Sequence, residues 1–219
     1  MPQKTKILLV DDHPLVREWL ATLINQQSDL EICGETDSAP KALQMLGVVN
    51  PAVAMVDISM EGGSGIELIK NIKASHPSVQ VIVLSMHDEA LYAERALRAG
   101  ARGYVMKRDA TKRVLQAIRC VLAGKLYLSD KMAMLMAEKF VAGSHSTPGS
   151  ALENLSDREL EVFQLLGRGY STKRIAEELH VSVKTIQAFC ARIKEKLGLV
   201  SATELLREAT RWHDSQEGT

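Results

Sequence analysis

The sequence predicts an α/β fold followed by an all-α domain. Three observations carry this. Short apolar runs alternate with amphipathic helical stretches over the first 125 residues. Every strand signal stops before residue 155. Between the two regions lies AGSHSTPGSALEN (142–154), rich in Gly, Ser and Pro, with linker composition. A chain of 219 residues accommodates two small domains comfortably. The boundaries read as an α/β domain over 1–125, a helical then flexible linker over 126–154, a helical domain over 155–213 and a tail over 214–219.

The α/β elements follow in order. Ile7–Val10 is a continuous apolar run, a buried strand. His13–Gln26 is a helix with Leu15, Trp19, Leu20, Leu23 and Ile24 on one side. Leu30–Cys33 is a strand, and Ala39–Leu46 a helix with Ser38 as N-cap. Ala52–Val56, Val79–Leu84 and Arg102–Met106 are strands. Gly65–Ser75, Glu89–Ala99 and Ala110–Ala123 are the helices that follow them, the last two closed by Gly100 and Gly124. Strict alternation of five strands and five helices implies a five-stranded, doubly wound parallel sheet. Ser129–Phe140 adds a helix with Met132, Leu135, Met136 and Phe140 on one stripe, a packing face. Beyond residue 155 come four short helices, 156–167, 172–179, 183–197 and 201–211.

Composition narrows the function classes. The hydrophobic fraction is 46% and the charged fraction 25%, ordinary for a globular chain. No apolar stretch has the length of a bilayer span and no secretory leader pattern is present, so the expected location is cytoplasmic, with no membrane partner. Cys33, Cys120 and Cys190 are too widely spaced for a metal motif and are expected to be reduced, mostly buried thiols. The net charge is zero, but residues 171–196 hold six basic against three acidic side chains, a local patch of the kind that meets phosphate.

Asp11 and Asp12 follow the first strand, Asp57 the third, Ser85 ends the fourth, and Lys107 follows the fifth. In an open doubly wound sheet, ligands bind beyond the carboxyl ends of the strands at the switch point. If the strand order is 2-1-3-4-5, an order taken by analogy, the first and third strands are neighbours there and the three carboxylates share a pocket. Their mutual repulsion is on the order of several kcal/mol at an intermediate dielectric. A cation must offset it, and Mg2+ suits carboxylate and phosphate oxygens. A carboxylate can attack phosphorus to form an aspartyl phosphate, with metal and lysine stabilising the equatorial oxygens. Asp57 stands alone at its strand end and is the better nucleophile, whereas Asp11-Asp12 suits metal binding.

The segments KILLVDDHPLVREWL, VDISM, VLSMHDE and GARGYVMKRD resemble the receiver domain of bacterial response regulators, over about residues 4–125. The resemblance implies Asp57 as phosphoacceptor and Asp12 as direct metal ligand. Asp11 would act through water, and the Ser59 backbone carbonyl would complete the Mg2+ site. It further implies Ser85 and Tyr104 as a switch pair, Lys107 as phosphate partner, and Ser59 and His87 as positions that tune dephosphorylation. Where the family usually carries proline after the methionine of this turn, this chain has Glu61 followed by Gly62-Gly63.

SDRELEVFQLLGRG opens the helical domain with a Ser156-x-x-Glu159 capping box. STKRIAEELHVSVKTIQAFCARIKEKLG supplies two helices joined by a tight turn at Leu179–Ser182, with Ser182 capping the second, which is helix-turn-helix spacing. At 100° per residue, Ile186, Cys190, Ile193 and Leu197 form a core stripe. The opposite face carries Lys184, Ala188, Ala191, Arg192 and Glu195, with Gln187 at its flank. Small side chains let a helix sit deep in a major groove, Ala meets a thymine methyl, and Gln pairs with adenine. Lys184, Thr185, Lys194 and Lys196 are placed to meet phosphates. From Leu155 to about Trp212 the chain resembles the LuxR/NarL-type helix-turn-helix module of quorum-sensing activators and nitrate-type response regulators. It departs from the common pattern at Gln187, Phe189 and Ala191.

The two resemblances together imply a transcriptional regulator of a two-component system. Its expected partners are a sensor histidine kinase or small phosphodonor, double-stranded DNA, and a second copy of the chain when active. It is not expected to be an enzyme beyond assisting its own phosphoryl transfer and hydrolysis, because the length outside the receiver goes to the helix-turn-helix and not to a substrate cap. The alternative is an atypical regulator that acts without phosphorylation through protein–protein contacts.

Overall fold

The computed structural model describes residues 4–60, 63–86, 89–142 and 151–217. It divides into two compact units, Met1–Met136 and Ala137–Thr219.

In the first unit, strands β1 (Thr5–Val10), β2 (Leu30–Thr36), β3 (Val53–Asp57), β4 (Gln80–Ser85) and β5 (Gly103–Met106) form one parallel sheet in the order β2-β1-β3-β4-β5. The central strands are apolar without alternation because both faces are covered. On one face Ile7, Leu9, Met55, Ile82 and Leu84 pack with Leu20 and Ile24 of α1 (Pro14–Asn25) and with Val114, Ala117, Ile118 and Val121 of α5 (Ala110–Leu122). The alternate residues Leu8, Val10, Ala54, Val56, Val81 and Val83 are equally buried on the other face. The remaining helices are α2 (Ala39–Val49), α3 (Gly65–Ser75) and α4 (Glu89–Ala99), in which α3 touches both neighbours.

Local detail departs from the periodicity in three places. Leu15, expected on the core stripe of α1, is 80% exposed, because the sheet takes up only the Leu20 and Ile24 side of that helix. Ser38 occupies the N-cap of α2 without a side-chain capping bond; its own N–H instead donates to Thr36 Oγ1 at 3.3 Å. After α5, Tyr127 bridges to Gly103 beside β5, its N–H donating to Arg102 O at 2.9 Å and its carbonyl accepting from Tyr104 N at 3.0 Å. The next helix, α6 (Asp130–Ala142), starts at Ser129, whose Oγ accepts from Met132 N and donates to Glu89 Oε2 of α4. Met132 is buried. The linker segment 143–150 lies outside the described residues.

The second unit is helical, with α7 (Asp157–Gly167), α8 (Thr172–Glu178), α9 (Val183–Leu197) and α10 (Ala202–Glu217) after a 3-10 turn at Ala151–Asn154. The Ser156–Glu159 capping box forms reciprocally, and Ser171 and Ser182 cap α8 and α9. Between α8 and α9 the chain reverses through His180, which takes a left-handed φ of 52°. Leu160, Phe163, Leu166, Ile175, Ile186, Ile193, Leu205 and Ala209 form the core. The final helix runs through Glu217 and not to 211, so residues read as a tail are partly helical. Phe163 of α7 packs on Trp212 at a centroid distance of 6.0 Å, which anchors the added turns.

Candidate functional site

The sheet register builds the first site. Val10 pairs with Val56, so Asp11 and Asp57 leave adjacent strands side by side. Leu84 pairs with Asp57 and Ser85 with Met106, so Ser85 and Lys107 emerge at the same edge. Asp11 and Asp57 are each 1% exposed, Ser85 is fully buried, and Asp12 is partly exposed at the mouth. The Lys107 side chain, 7% exposed, places Nζ 2.7 Å from Asp57 Oδ2 and 2.8 Å from Asp11 Oδ2. Asp57 Oδ1 accepts from the Ser59 N–H at 3.0 Å. Tyr104, two residues before the Ser85 partner Met106 on β5, has its ring fully buried.

The charges are unevenly compensated. Burial holds the Asp57 carboxyl above the usual aspartate range; Lys107 opposes that, and the Asp11 charge adds to it. Burial pushes the Lys107 ammonium down, but Asp57 and Asp11 together outweigh it and raise it above the usual lysine range. The asymmetry is simple: the lysine faces two carboxylates, whereas Asp57 faces one cation and further anions. Asp11, Asp12, His13 and Asp57 can each offer one ligand atom within 4.8 Å of all the others. Convergent carboxylate oxygens with a single buried cation are a donor set that suits Mg2+.

Three residues at this site escaped the sequence reading. His13 turns Nδ1 toward the carboxylates, 2.7 Å from Asp12 Oδ1 and 3.2 Å from Asp11 Oδ1. Arg17 donates to the Asp11 backbone carbonyl and so holds the end of β1. Gly65 lies against the Asp57 turn, where a Cβ would come within 2.2 Å of Asp57 O and 2.6 Å of Ile58 Cα. Only glycine permits that approach. The Asp-Asp-His-Pro string held the one available signal, because Pro14 starts α1 and leaves His13 at its N-cap. Glu61, Gly62 and His87 lie outside the described residues.

In the second unit, α9 buries Ile186 and Ile193 and half-buries Cys190 and Leu197, as its stripe requires. Lys184, Gln187, Ala188, Ala191, Arg192 and Glu195 are exposed; Thr185 and Lys194 are half-buried. Thr185 also joins the cap, its N–H donating to Ser182 Oγ at 3.1 Å. Lys196 donates to the buried Glu159 at 2.6 Å, so its ammonium is engaged with α7. Phe189 is half-buried, with the Arg192 guanidinium 5.4 Å from its ring centroid. Cys33, Cys120 and Cys190 are free and half-buried. Among the described residues no helix is long and apolar enough to cross a membrane.

Comparison with known proteins matches both units. Residues 7–119 match the response regulator receiver domain, and residues 153–209 match the bacterial regulatory proteins of the luxR family. The oxygen regulatory protein NreC of Staphylococcus aureus is 36% identical over 208 residues, covering 93% of this chain and 96% of that protein. The RcsB response regulator of Salmonella typhimurium superposes with a TM-score of 0.72 at 26% identity, covering 95% of this chain and 98% of that one. RcsB of Salmonella enterica serovar Typhimurium bound to promoter rprA with the phosphomimetic BeF3- gives 0.68 at 27%, covering 95% and 99%. The chain therefore belongs to the response regulators, with a receiver domain followed by a luxR-family regulatory domain.

Proposed function

We propose that this chain is a phosphorylation-dependent, DNA-binding transcriptional regulator of a two-component system, located in the cytoplasm, with Asp57 as its phosphoacceptor. The observation that carries the reading is the buried Asp57 carboxylate held between Lys107 Nζ and the Ser59 N–H, beside Asp11. A sensor histidine kinase or a small phosphodonor supplies the phosphoryl group. An Asp57 oxygen forms the new P–O bond while the bond to the donor breaks and the donor leaves with its electron pair. Lys107 is placed to take up charge on the transferred phosphoryl oxygens. Asp12, Asp57 and the Ser59 carbonyl, with Asp11 through water, would hold Mg2+, which when bound would neutralise phosphoryl charge. Ser85 and Tyr104 respond to the phosphoryl oxygen, and Ser59 and His87 tune its hydrolysis.

The DNA interface is the exposed face of α9. Gln187, Ala188 and Ala191 face base edges, while Lys184, Thr185, Arg192 and Lys194 meet the backbone. RcsB has been solved on promoter DNA with a phosphomimetic, and a paired arrangement of this chain would fit a two-fold site. The test is acyl-phosphate labelling followed by intact mass. Wild type should gain one phosphoryl group and Asp57→Asn none; equal labelling of the variant overturns the assignment.

A further inference from the structure

The carboxylate site has a nitrogen donor at its mouth. His13 Nδ1 lies 2.7 Å from Asp12 Oδ1, 3.2 Å from Asp11 Oδ1 and 3.9 Å from Asp57 Oδ2, one oxygen from each of the three carboxylates. The ring is held there from the backbone, since the His13 N–H donates to Asp11 Oδ1 at 2.9 Å and Pro14 begins α1 directly behind it. Its side chain is 61% exposed, whereas Lys107, at 7%, approaches Asp11 and Asp57 from the buried side. Neighbouring ligands of an octahedral ion with bonds near 2.1 Å stand about 3 Å apart. The two short nitrogen–oxygen separations are hydrogen-bond contacts. The ligand atoms of His13, Asp11, Asp12 and Asp57 all lie within 4.8 Å of one another, so an ion held among them would have the imidazole within reach.

We infer that His13 is a specificity-determining donor that shifts this site toward divalent first-row transition ions. The inference rests on the proposed metal site and adds the nitrogen to it. Carboxylate and carbonyl oxygens suit Mg2+, Mn2+ and Ca2+; imidazole favours the later transition ions, which bind N/O sites more tightly along the Irving–Williams order. Nδ1, within hydrogen-bond distance of Asp11 and Asp12, faces the place an ion among these carboxylates would take.

The experiment titrates full-length wild type, His13→Phe, His13→Asn, Asp12→Asn and Asp57→Asn with Mg2+, Mn2+ and Co2+ by calorimetry. It also measures nitrogen coupling on bound Mn2+ by pulsed electron paramagnetic resonance. Removing the imidazole should lower Co2+ affinity roughly tenfold more than Mg2+ affinity and abolish a histidine nitrogen coupling present in wild type. His13→Asn, which offers an oxygen, should give the same narrowed ratio. If both His13 variants keep the wild-type Co2+/Mg2+ ratio and wild type shows no nitrogen coupling, the role of His13 is overturned while the carboxylate site stands. If Asp12→Asn and Asp57→Asn weaken none of the ions, the metal site itself fails and the inference with it.

Discussion

At the scale of single residues, Asp57 is a charge that the fold tolerates at a cost. Its carboxyl is held above the usual aspartate range by burial, which Lys107 does not fully offset. The folded state therefore binds more protons than the unfolded chain between the two pKa values, and stability falls as pH rises through that interval. Asp57→Asn removes the charge and keeps the shape. In metal-free protein at pH 7 the variant should melt above wild type, with the gap closing as pH falls into and below the ordinary aspartate range. Calorimetric melts across pH check this, and a variant melting no higher at pH 7 would contradict it. Gly65 is the second such residue. Its missing Cβ makes room for the Asp57 carbonyl, and backbone atoms cannot swing aside as a side-chain end can. Gly65→Ala should destabilise the first unit by about 1–3 kcal/mol, the usual overpacking range. It should also slow Asp57 labelling, because the phosphoacceptor turn must shift.

At the scale of elements, the helical unit is tied together by an ion pair between the start of α7 and the end of α9. Glu159 completes the capping box of α7 and accepts from Lys196 in the last turn of α9. Both charges sit at the helix ends their dipoles favour. Burial pushes Glu159 up, but the Lys196 hydrogen bond and the Ser156 contacts bring it below the usual glutamate range. A depressed carboxylate contributes stability that is complete above its unfolded value of 4.5 and is lost as pH falls through the folded value. Glu159→Gln should cost this unit about 1–2 kcal/mol at pH 7. That lies at the lower end for a charged hydrogen bond, because Lys196 is 37% exposed and solvent screens it. Denaturation of wild type and variant should converge as pH drops well below 4.5. A gap that persists in acid would place the effect in packing and not in the pair.

At the scale of the whole molecule, a phosphoryl group matters only through the state it stabilises more. The first unit presents an acidic pocket at the carboxyl ends of its central strands, and the second an exposed, mixed-charge helix face. DNA affinity should rise with Mg2+ and beryllofluoride in wild type and be unresponsive in Asp57→Asn, as measured by fluorescence anisotropy. The same measurement against salt should give a steep negative slope that Lys194→Ala reduces by about one. Affinity indifferent to the mimic would favour a regulator working without phosphate.

The local levels of this protein were written in its sequence. Apolar runs ending in Asp11, Asp57 and Ser85, the serine caps of α7 and α9, and the Ile186–Ile193 stripe depend on neighbours within a few residues, so periodicity and capping chemistry expose them. Strand order was legible only by analogy, because it is set by which crossovers pack and not by any strand's own residues. Three contacts were not legible. His13 facing three carboxylates, Gly65 seated on the Asp57 turn and Lys196 drawn to Glu159 join residues far apart in chain or separated by a turn of unknown direction. Their meeting is decided by register and close packing, which only the tertiary structure determines.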